Sequence, residues 1–447
     1  MDPGLSQRVP LGPAPYRGEG AQRIRKGPDP ADVTIRSVPL SVYLHIPFCR
    51  SRCTYCDFNT YAGLDSLMPA YVDALATELR LVGAAIAERS RWEDQDSRVT
   101  SADVHTVYFG GGTPSLLPLE SLGHLLQTLR EAFRVRPDCE ISLEANPGTV
   151  DSEYLRGLRE MGVNRLSLGV QSSREDELRL LGRSHSFAES IQAVRHARQA
   201  DFKNLSLDLI LGLPGQSLSD WSHSLLQVLD LDPCHLSLYG LSLEEGTPLA
   251  LSVERGLLPP PEPDHAADMM ECARDLLAER GYFHYEISNW AKAAGPGRDP
   301  GDAIQPLFAC CHNLQYWRNS PYLGFGAGAH GHAEGLRYSN VLSPREYVER
   351  MKRPAPDEFP FSPALRDRSR IDRKTEMGET MIMGLRLIAE GVRRTAFRAR
   401  FGVDLESVYG SPLHGLEAAG LIERNPDCVR LTRKGWLLGN QVFIAFV

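Results

Sequence analysis

No apolar run in the 447 residues approaches the ~18–20 needed to cross a bilayer, and the first residues lack the apolar core of a secretory signal. Basic charge is in deficit. Forty-nine Lys and Arg stand against 57 Asp and Glu, a net charge of −8, which excludes the broad basic footprint of a general nucleic-acid binder. Cysteines are few and odd in number: nine, three of them between positions 49 and 56. That excludes a disulfide scaffold and points to a reducing, cytoplasmic compartment. The run Gly110-Gly111-Gly112-Thr113-Pro114-Ser115 lacks the Lys-Ser/Thr of a phosphate-binding loop and the spacing of a dinucleotide fingerprint. A hydrophobic share of 42% and a charged share of 24% remain those of an ordinary globular chain with two or three domains.

What is present starts with Cys49, Cys53 and Cys56, which follow the apolar run Ser41–Phe48 at a C-x3-C-x2-C spacing. Three thiolates are one short of a closed tetrahedral zinc site or a saturated four-iron cluster, so a cluster held here keeps one iron open to a ligand. The competing readings are a structural zinc, with His45 or Asp57 as fourth ligand, and three unrelated thiols.

Residues 1–38 hold six prolines and five glycines and six Lys/Arg against four Asp/Glu, the composition of a disordered leader, with an organelle-targeting role left open. From Ser41 onward, short apolar runs alternate with amphipathic stretches, the signature of parallel βα units. Strands are expected at 41–46, 104–109, 140–144, 165–170, 205–210 and 235–240. Helices are expected near 66–88, 118–133, 151–161, 186–199 and 218–230. Six such units predict an open (β/α)6 barrel over residues 39–290. A Gly/Pro-rich insertion at Ala293–Pro306 opens a segment running to 364. Residues 365–447 then read as helices (Lys374–Ala389, Leu413–Ala419) and a late strand pair, a small α+β winged-helix-like domain.

In a barrel of this kind ligands sit at the carboxyl ends of the strands, where the remaining motifs fall. The second strand runs into Gly111, Gly112 and Thr113, whose backbone can approach a ligand closely. The third ends at Glu144, a carboxylate able to accept two ribose hydroxyls or to cap the next turn. The fourth ends at Gln171, and Arg183 follows, suited to a bidentate carboxylate contact or to a surface ion pair. Asp208 interrupts the buried run of the fifth strand and must be hydrogen-bonded to be tolerated there. His185, His196 and His265 read as ordinary solvated residues.

The cysteine spacing, with Tyr55 just before the third cysteine, resembles the radical S-adenosylmethionine (SAM) superfamily. The resemblance spans residues 40–340 and implies a partial TIM barrel, a 4Fe–4S cluster on Cys49, Cys53 and Cys56, and SAM chelated by the open iron and cleaved to a 5′-deoxyadenosyl radical. It implies cofactor contacts at Tyr43, Tyr55, Gly111, Gly112, Thr113, Glu144, Gln171, Arg183 and Asp208. Within the superfamily the chain is similar to the oxygen-independent coproporphyrinogen III dehydrogenase group, and inside it to the HemW-type haem chaperones. The dehydrogenase has a further cysteine two residues past the triad, where this chain has Phe58.

The segment Cys310-Cys311-His312-Asn313-Leu314-Gln315-Tyr316-Trp317 contains the His-Asn-x-x-Tyr-Trp pattern associated with haem in HemW-type proteins. A neutral imidazole is a usual haem ligand, and aromatics offer a porphyrin flat apolar surface. The resemblance implies haem contacts at His312, Asn313, Tyr316 and Trp317, with Cys310 as an alternative thiolate. The other reading is a histidine and aromatics packed at a domain seam. Expected partners are haem-accepting respiratory proteins, an electron donor such as flavodoxin or ferredoxin, and a second copy of the chain. Nucleic acid is not expected, nor a membrane span, although peripheral membrane contact is compatible. The alternative activity is oxidative decarboxylation of porphyrinogen propionates.

Overall fold

The six predicted strands all form, as β1 (Leu40–Ile46), β2 (Asp103–Gly111), β3 (Arg134–Ala145), β4 (Arg165–Gln171), β5 (Asn204–Leu211) and β6 (His235–Gly240). The structure is a computed structural model that describes residues 39–89, 103–292, 305–354, 356 and 358–447. The leader and most of the Ala293–Pro306 insertion lie outside the described residues. Between the strands run α1 (Met68–Arg89), α2 (Leu119–Ala132), α3 (Ser152–Glu160), α4 (Phe187–Gln199) and α5 (Leu218–Leu229), and α6 (Pro263–Glu279) follows β6. Local chemistry sets their ends. Ser186 and Glu189 form a reciprocal capping box on α4, and Ser217 and Asp220 form another on α5.

Neighbours β1 to β6 pair in parallel, in register with their sequence order. Their near-continuous apolar runs are what a sheet covered by helices on its outer face requires. Among the described residues the sheet does not close. β6 pairs antiparallel with β8 (Asn289–Lys292), itself paired with β7 (Tyr282–Glu286). On the other side β1 pairs in parallel with β9 (Tyr322–Phe325), followed by β10 (His330–Ala333), β11 (Leu336–Asn340) and β12 (Leu365–Arg370) in antiparallel order. The result is a curved, open twelve-stranded sheet in which six strands go beyond the sequence expectation. These six are only four to six residues long, and in most of them glycines, histidines or arginines interrupt the apolar positions.

After β12, helices at Arg373–Gly384, Arg394–Phe401 and Leu405–Ala418 lead to the hairpin Ile422–Arg424 and Cys428–Leu431, and the short strand Val392–Arg393, between the first two helices, pairs with Cys428–Leu431 to make a three-stranded sheet. The helix–helix–hairpin order expected of a winged-helix-like domain is present. Its first helix ends five residues earlier than expected, and its last begins earlier and is kinked at Tyr409 before Pro412. Of its basic residues, Arg394 pairs with Glu406 and Arg400 with Glu376.

Candidate functional site

β1 delivers the chain to the top of the sheet, where Phe48–Cys49 makes a short parallel pairing with Tyr61–Ala62. The loop between them is pinned on two sides. Thr54 donates its backbone N–H to Leu181 O at 3.1 Å and its hydroxyl to Leu180 O at 2.8 Å. Leu249 N–H donates to Thr54 O at 2.9 Å. The glycine turn after β2 packs directly on this loop, with Gly112 N–H donating to Ile46 O and Thr113 N–H to Phe48 O, both at 2.8 Å. A Cβ on Gly112 would stand 2.6 Å from the Phe48 carbonyl oxygen, so only glycine permits this approach.

Cys49, Cys53 and Cys56 are free thiols, half-buried, on the wall of one cavity of about 440 Å³. Thr113 Oγ1 donates to Cys49 Sγ at 3.6 Å, and Arg183 Nη1 to Cys53 Sγ at 3.4 Å. Burial, only partly offset by the Thr113 hydrogen bond, pushes the Cys49 thiol up. Among the described residues, no three His, Cys, Asp or Glu side chains are placed to hold one metal ion. A single zinc would need its sulfurs within ~4 Å of one another, given a Zn–S bond of ~2.3 Å, whereas a cubane holds its thiolates at separate corners. His45 is already engaged: its Nε2 bonds Asn59 O at 2.9 Å and its Nδ1 the Tyr43 hydroxyl at 3.1 Å.

The same cavity is lined by Tyr55, Gly111, Gly112, Thr113, Glu144, Gln171, Arg183 and Asp208, drawn from the cysteine loop, the ends of β2, β3 and β4, the turn at Arg183 and the interior of β5. Tyr43 is not among them; it lines an adjoining, deeper cavity. Gln171 takes φ 68° at a register shift between β4 and β5, a bulge that turns its side chain inward. Its Oε1 is buried without a partner, as is Arg183 Nε. Arg183 Nη2 donates to Gly169 O at 2.9 Å. Burial works against the Arg183 cation, but Tyr55 and Cys53 beside it outweigh that and hold its pKa above the usual value. Glu144 accepts from the Tyr108 hydroxyl at 2.8 Å and from Gly111 N–H at 3.3 Å, and burial raises it to about 7. Asp208 is hydrogen-bonded as its position requires, by Ser167 at 3.0 Å and Ser206 at 3.1 Å, and burial raises its pKa too.

The His-Asn-x-x-Tyr-Trp segment folds as α7 (Cys311–Trp317). Cys310, His312, Asn313 and Tyr316 line the deeper cavity, of about 230 Å³, whose wall shares Glu144, Ser167 and Asp208 with the first. His312 is 1% exposed and bonds Thr106 Oγ1 at 2.8 Å through Nδ1 and the Tyr316 hydroxyl at 3.0 Å through Nε2. Burial lowers its pKa to about 3, so the ring is neutral. While both bonds hold, neither nitrogen is free for iron. Trp317 lies apart, under the Arg386 guanidinium at 4.4 Å.

Sequence reasoning passed over Tyr108, Ser167 and Arg165, although the first two sit at inward positions of β2 and β4 and could have been found by their period-two spacing from Gly110 and Gly169. His185 also departs from its expectation. It is 3% exposed, bonds Val170 O at 3.2 Å and is lowered to about 4 by burial.

The radical SAM superfamily profile matches residues 43–228, and the HemN C-terminal domain profile residues 371–438. The heme chaperone HemW of Bacillus subtilis is 36% identical over 408 residues, which cover 91% of this chain and 99% of that protein. The chain belongs to the HemW family of radical SAM proteins. The Escherichia coli heme chaperone HemW is 33% identical over 422 residues, covering 92% of this chain and 99% of that one. A bovine relative, radical S-adenosyl methionine domain-containing protein 1, mitochondrial, is 37% identical over 318 residues, 70% of this chain and 65% of its own. In fold, coproporphyrinogen III oxidase (HemN) from E. coli, a radical SAM enzyme, superposes with a TM-score of 0.72 at 23% identity, covering 93% of this chain and 92% of that one. Membership of the radical SAM superfamily implies a 4Fe–4S cluster and SAM. The cavity fits such a pair: three thiols on one wall, a buried guanidinium beside them, a glycine cradle and two orphaned polar atoms. Among the described residues, no helix is long and apolar enough to cross a membrane.

Proposed function

We propose that Cys49, Cys53 and Cys56 hold a 4Fe–4S cluster beside SAM, and that the protein acts as a haem chaperone, as its HemW relatives are named. The observation that carries the cofactor reading is the convergence of three free thiols, Arg183, Glu144, Gln171 and Asp208 on one cavity. Arg183 suits the methionine carboxylate, the Gly111–Thr113 backbone its amino group, and Glu144 the ribose hydroxyls, with Gln171, Asp208 and Tyr55 as walls and Tyr43 behind them. Bound there, such a cluster supplies a one-electron reductant next to a sulfonium.

Phe58, 66% exposed at the cavity mouth, favours the chaperone over the porphyrinogen dehydrogenase, because the residue there is apolar rather than a cysteine. Haem contact through Cys310, His312, Asn313, Tyr316 and Trp317 belongs to this reading on one condition: α7 must leave its place, since both His312 nitrogens are engaged within the fold. Delivery to respiratory haemoproteins, reduction by a flavodoxin or ferredoxin, pairing of two copies and a cytoplasmic location complete the proposal. So does the division into a leader (1–38), a core (39–290), an insertion and motif segment (291–364) and a C-terminal domain (365–447).

The test is paired. Anaerobically reconstituted protein is titrated with hemin and assayed for coproporphyrinogen decarboxylation. Stoichiometric hemin binding without decarboxylation is the expected result; robust decarboxylation, or no saturable hemin binding, overturns the chaperone reading. Iron and sulfide analysis of Cys53→Ser tests the cluster separately, and unchanged content there removes the ligand assignment.

A further inference from the structure

The inward face of β2 presents Thr106, Tyr108 and Gly110 in succession, from the floor of the barrel toward the cysteine cavity. Thr106 holds His312 Nδ1, and the His312 ring lies nearly parallel to that of Tyr108, centroids 5.1 Å apart at 29°. Tyr43, across the strand pair from Tyr108, packs on both rings at 6.3 and 6.4 Å. A Cβ on Gly110 would come within 3.0 Å of both tyrosine rings, so the glycine leaves the Tyr108 ring the space it occupies. From there the Tyr108 hydroxyl donates to Glu144.

The helix that brings His312 is stitched to the barrel floor. His312 N–H donates to Glu140 Oε1 at 3.2 Å and Cys310 N–H to the Tyr285 hydroxyl at 3.2 Å. The Gln315 amide donates to Pro39 O and Pro321 O, both at 2.9 Å. Such a buried, hydrogen-bonded network fixes one geometry of the helix while it is docked in the fold.

We propose that His312 is a positioning residue of the cofactor cavity: packed against Tyr108 and anchored by Thr106 and Tyr316, it fixes the hydroxyl that orients the Glu144 carboxylate. This rests on the assignment of Glu144 to SAM, and the experiment separates the two.

Two readouts are taken on the full chain for wild type, His312→Ala, Tyr108→Phe, their double variant, and Glu144→Gln. The first is the infrared titration of the Glu144 carboxyl in cofactor-free protein, identified by its loss in Glu144→Gln. Tyr108, Gly111 N–H and Asp208 are the groups that act on that carboxyl. Losing the Tyr108 hydrogen bond moves the titration upward, and His312→Ala is expected to move it in the same direction. The second is SAM affinity after reconstitution, expected to fall ~10-fold in each single variant, the scale of one hydrogen bond to a charged group, and no further in the double.

A His312→Ala protein with the wild-type Glu144 titration overturns the proposal, as does a double variant whose losses multiply. His312→Phe keeps a ring on Tyr108 and guards against a collapsed alanine variant. It is expected to retain most of the SAM affinity, and a loss equal to that of His312→Ala overturns the packing relay. Unchanged SAM affinity in Glu144→Gln removes the SAM assignment alone, because the infrared arm still decides the relay.

Discussion

Arg183 places one terminal nitrogen 3.4 Å from Cys53 Sγ and the other 2.9 Å from the carbonyl of Gly169, joining the cysteine loop to the bulged end of β4. Removing the guanidinium leaves all three thiols in place. Arg183→Leu is therefore expected to keep most of its iron after reconstitution and to lose SAM affinity by ~10–100-fold, the scale of a charge-assisted contact to a carboxylate. Iron analysis with equilibrium dialysis of SAM checks both halves. An affinity equal to wild type removes Arg183 from the cofactor site.

The approach of the glycine turn to the cysteine loop gives a second expectation. A methyl at Gly112 meets a backbone oxygen at 2.6 Å, which cannot swing aside as a side-chain tip would. Gly112→Ala should cost about 1–3 kcal/mol, as small-to-large changes in packed regions do, and should lower iron loading by displacing Phe48 and Cys49. Thermal melting and iron content are the measurements; wild-type values for both would show that the two loops tolerate separation.

Much of this site was legible because each element announces itself locally. Six apolar runs became six parallel strands; Cys49, Glu144 and Gln171 lie at the strand ends where ligands are expected, and Asp208 lies within the fifth strand, hydrogen-bonded as its apolar run demands. What the chain hid depends on tertiary contact. The bulge that turns Gln171 inward is a one-residue shift between β4 and β5 with no local signal. Tyr108 looks like any strand tyrosine until Glu144 arrives from the neighbouring strand. Likewise His312 read as a haem ligand or a packed histidine, and only the pairing with Thr106 and Tyr316 shows both nitrogens spent. The strands after Tyr282 are short segments whose pairing, not their own pattern, makes them part of the sheet.

Glu144 makes cofactor-free stability depend on pH. Its folded pKa, about 7, lies above the usual carboxylate value, so the folded state binds a proton more tightly than the unfolded chain. Its contribution to stability is complete below the unfolded value of ~4.3 and is lost as pH rises through about 7. Glu144→Gln, which cannot ionise, should thus stabilise the cofactor-free protein at pH 8 relative to wild type, by on the order of 1–3 kcal/mol, and do little at pH 4.5. Melting curves at the two pH values decide it. An equal effect at both would mean that Glu144 titrates in the fold as it does in the open chain.

Glu78 carries the last prediction. Buried on α1, it accepts four hydrogen bonds: from Gly326 N–H and the Asn340 amide at 2.8 Å, and from the Tyr347 and Ser362 hydroxyls at 2.6 Å. All four donors lie in the part of the chain that follows β9, so one carboxylate anchors the extension of the sheet to the first helix. Burial raises its pKa, opposed by the same four donors. Glu78→Ala strands those donors away from water and should cost about 3–5 kcal/mol, near the upper end for a single substitution. Glu78→Gln keeps the shape but turns an amide N–H toward groups that themselves donate, so it should recover only part of the loss. Urea unfolding of the two variants measures the difference. A loss below about 1 kcal/mol in Glu78→Ala would mean that the donors find other acceptors and that the extension is held by its strand pairing alone.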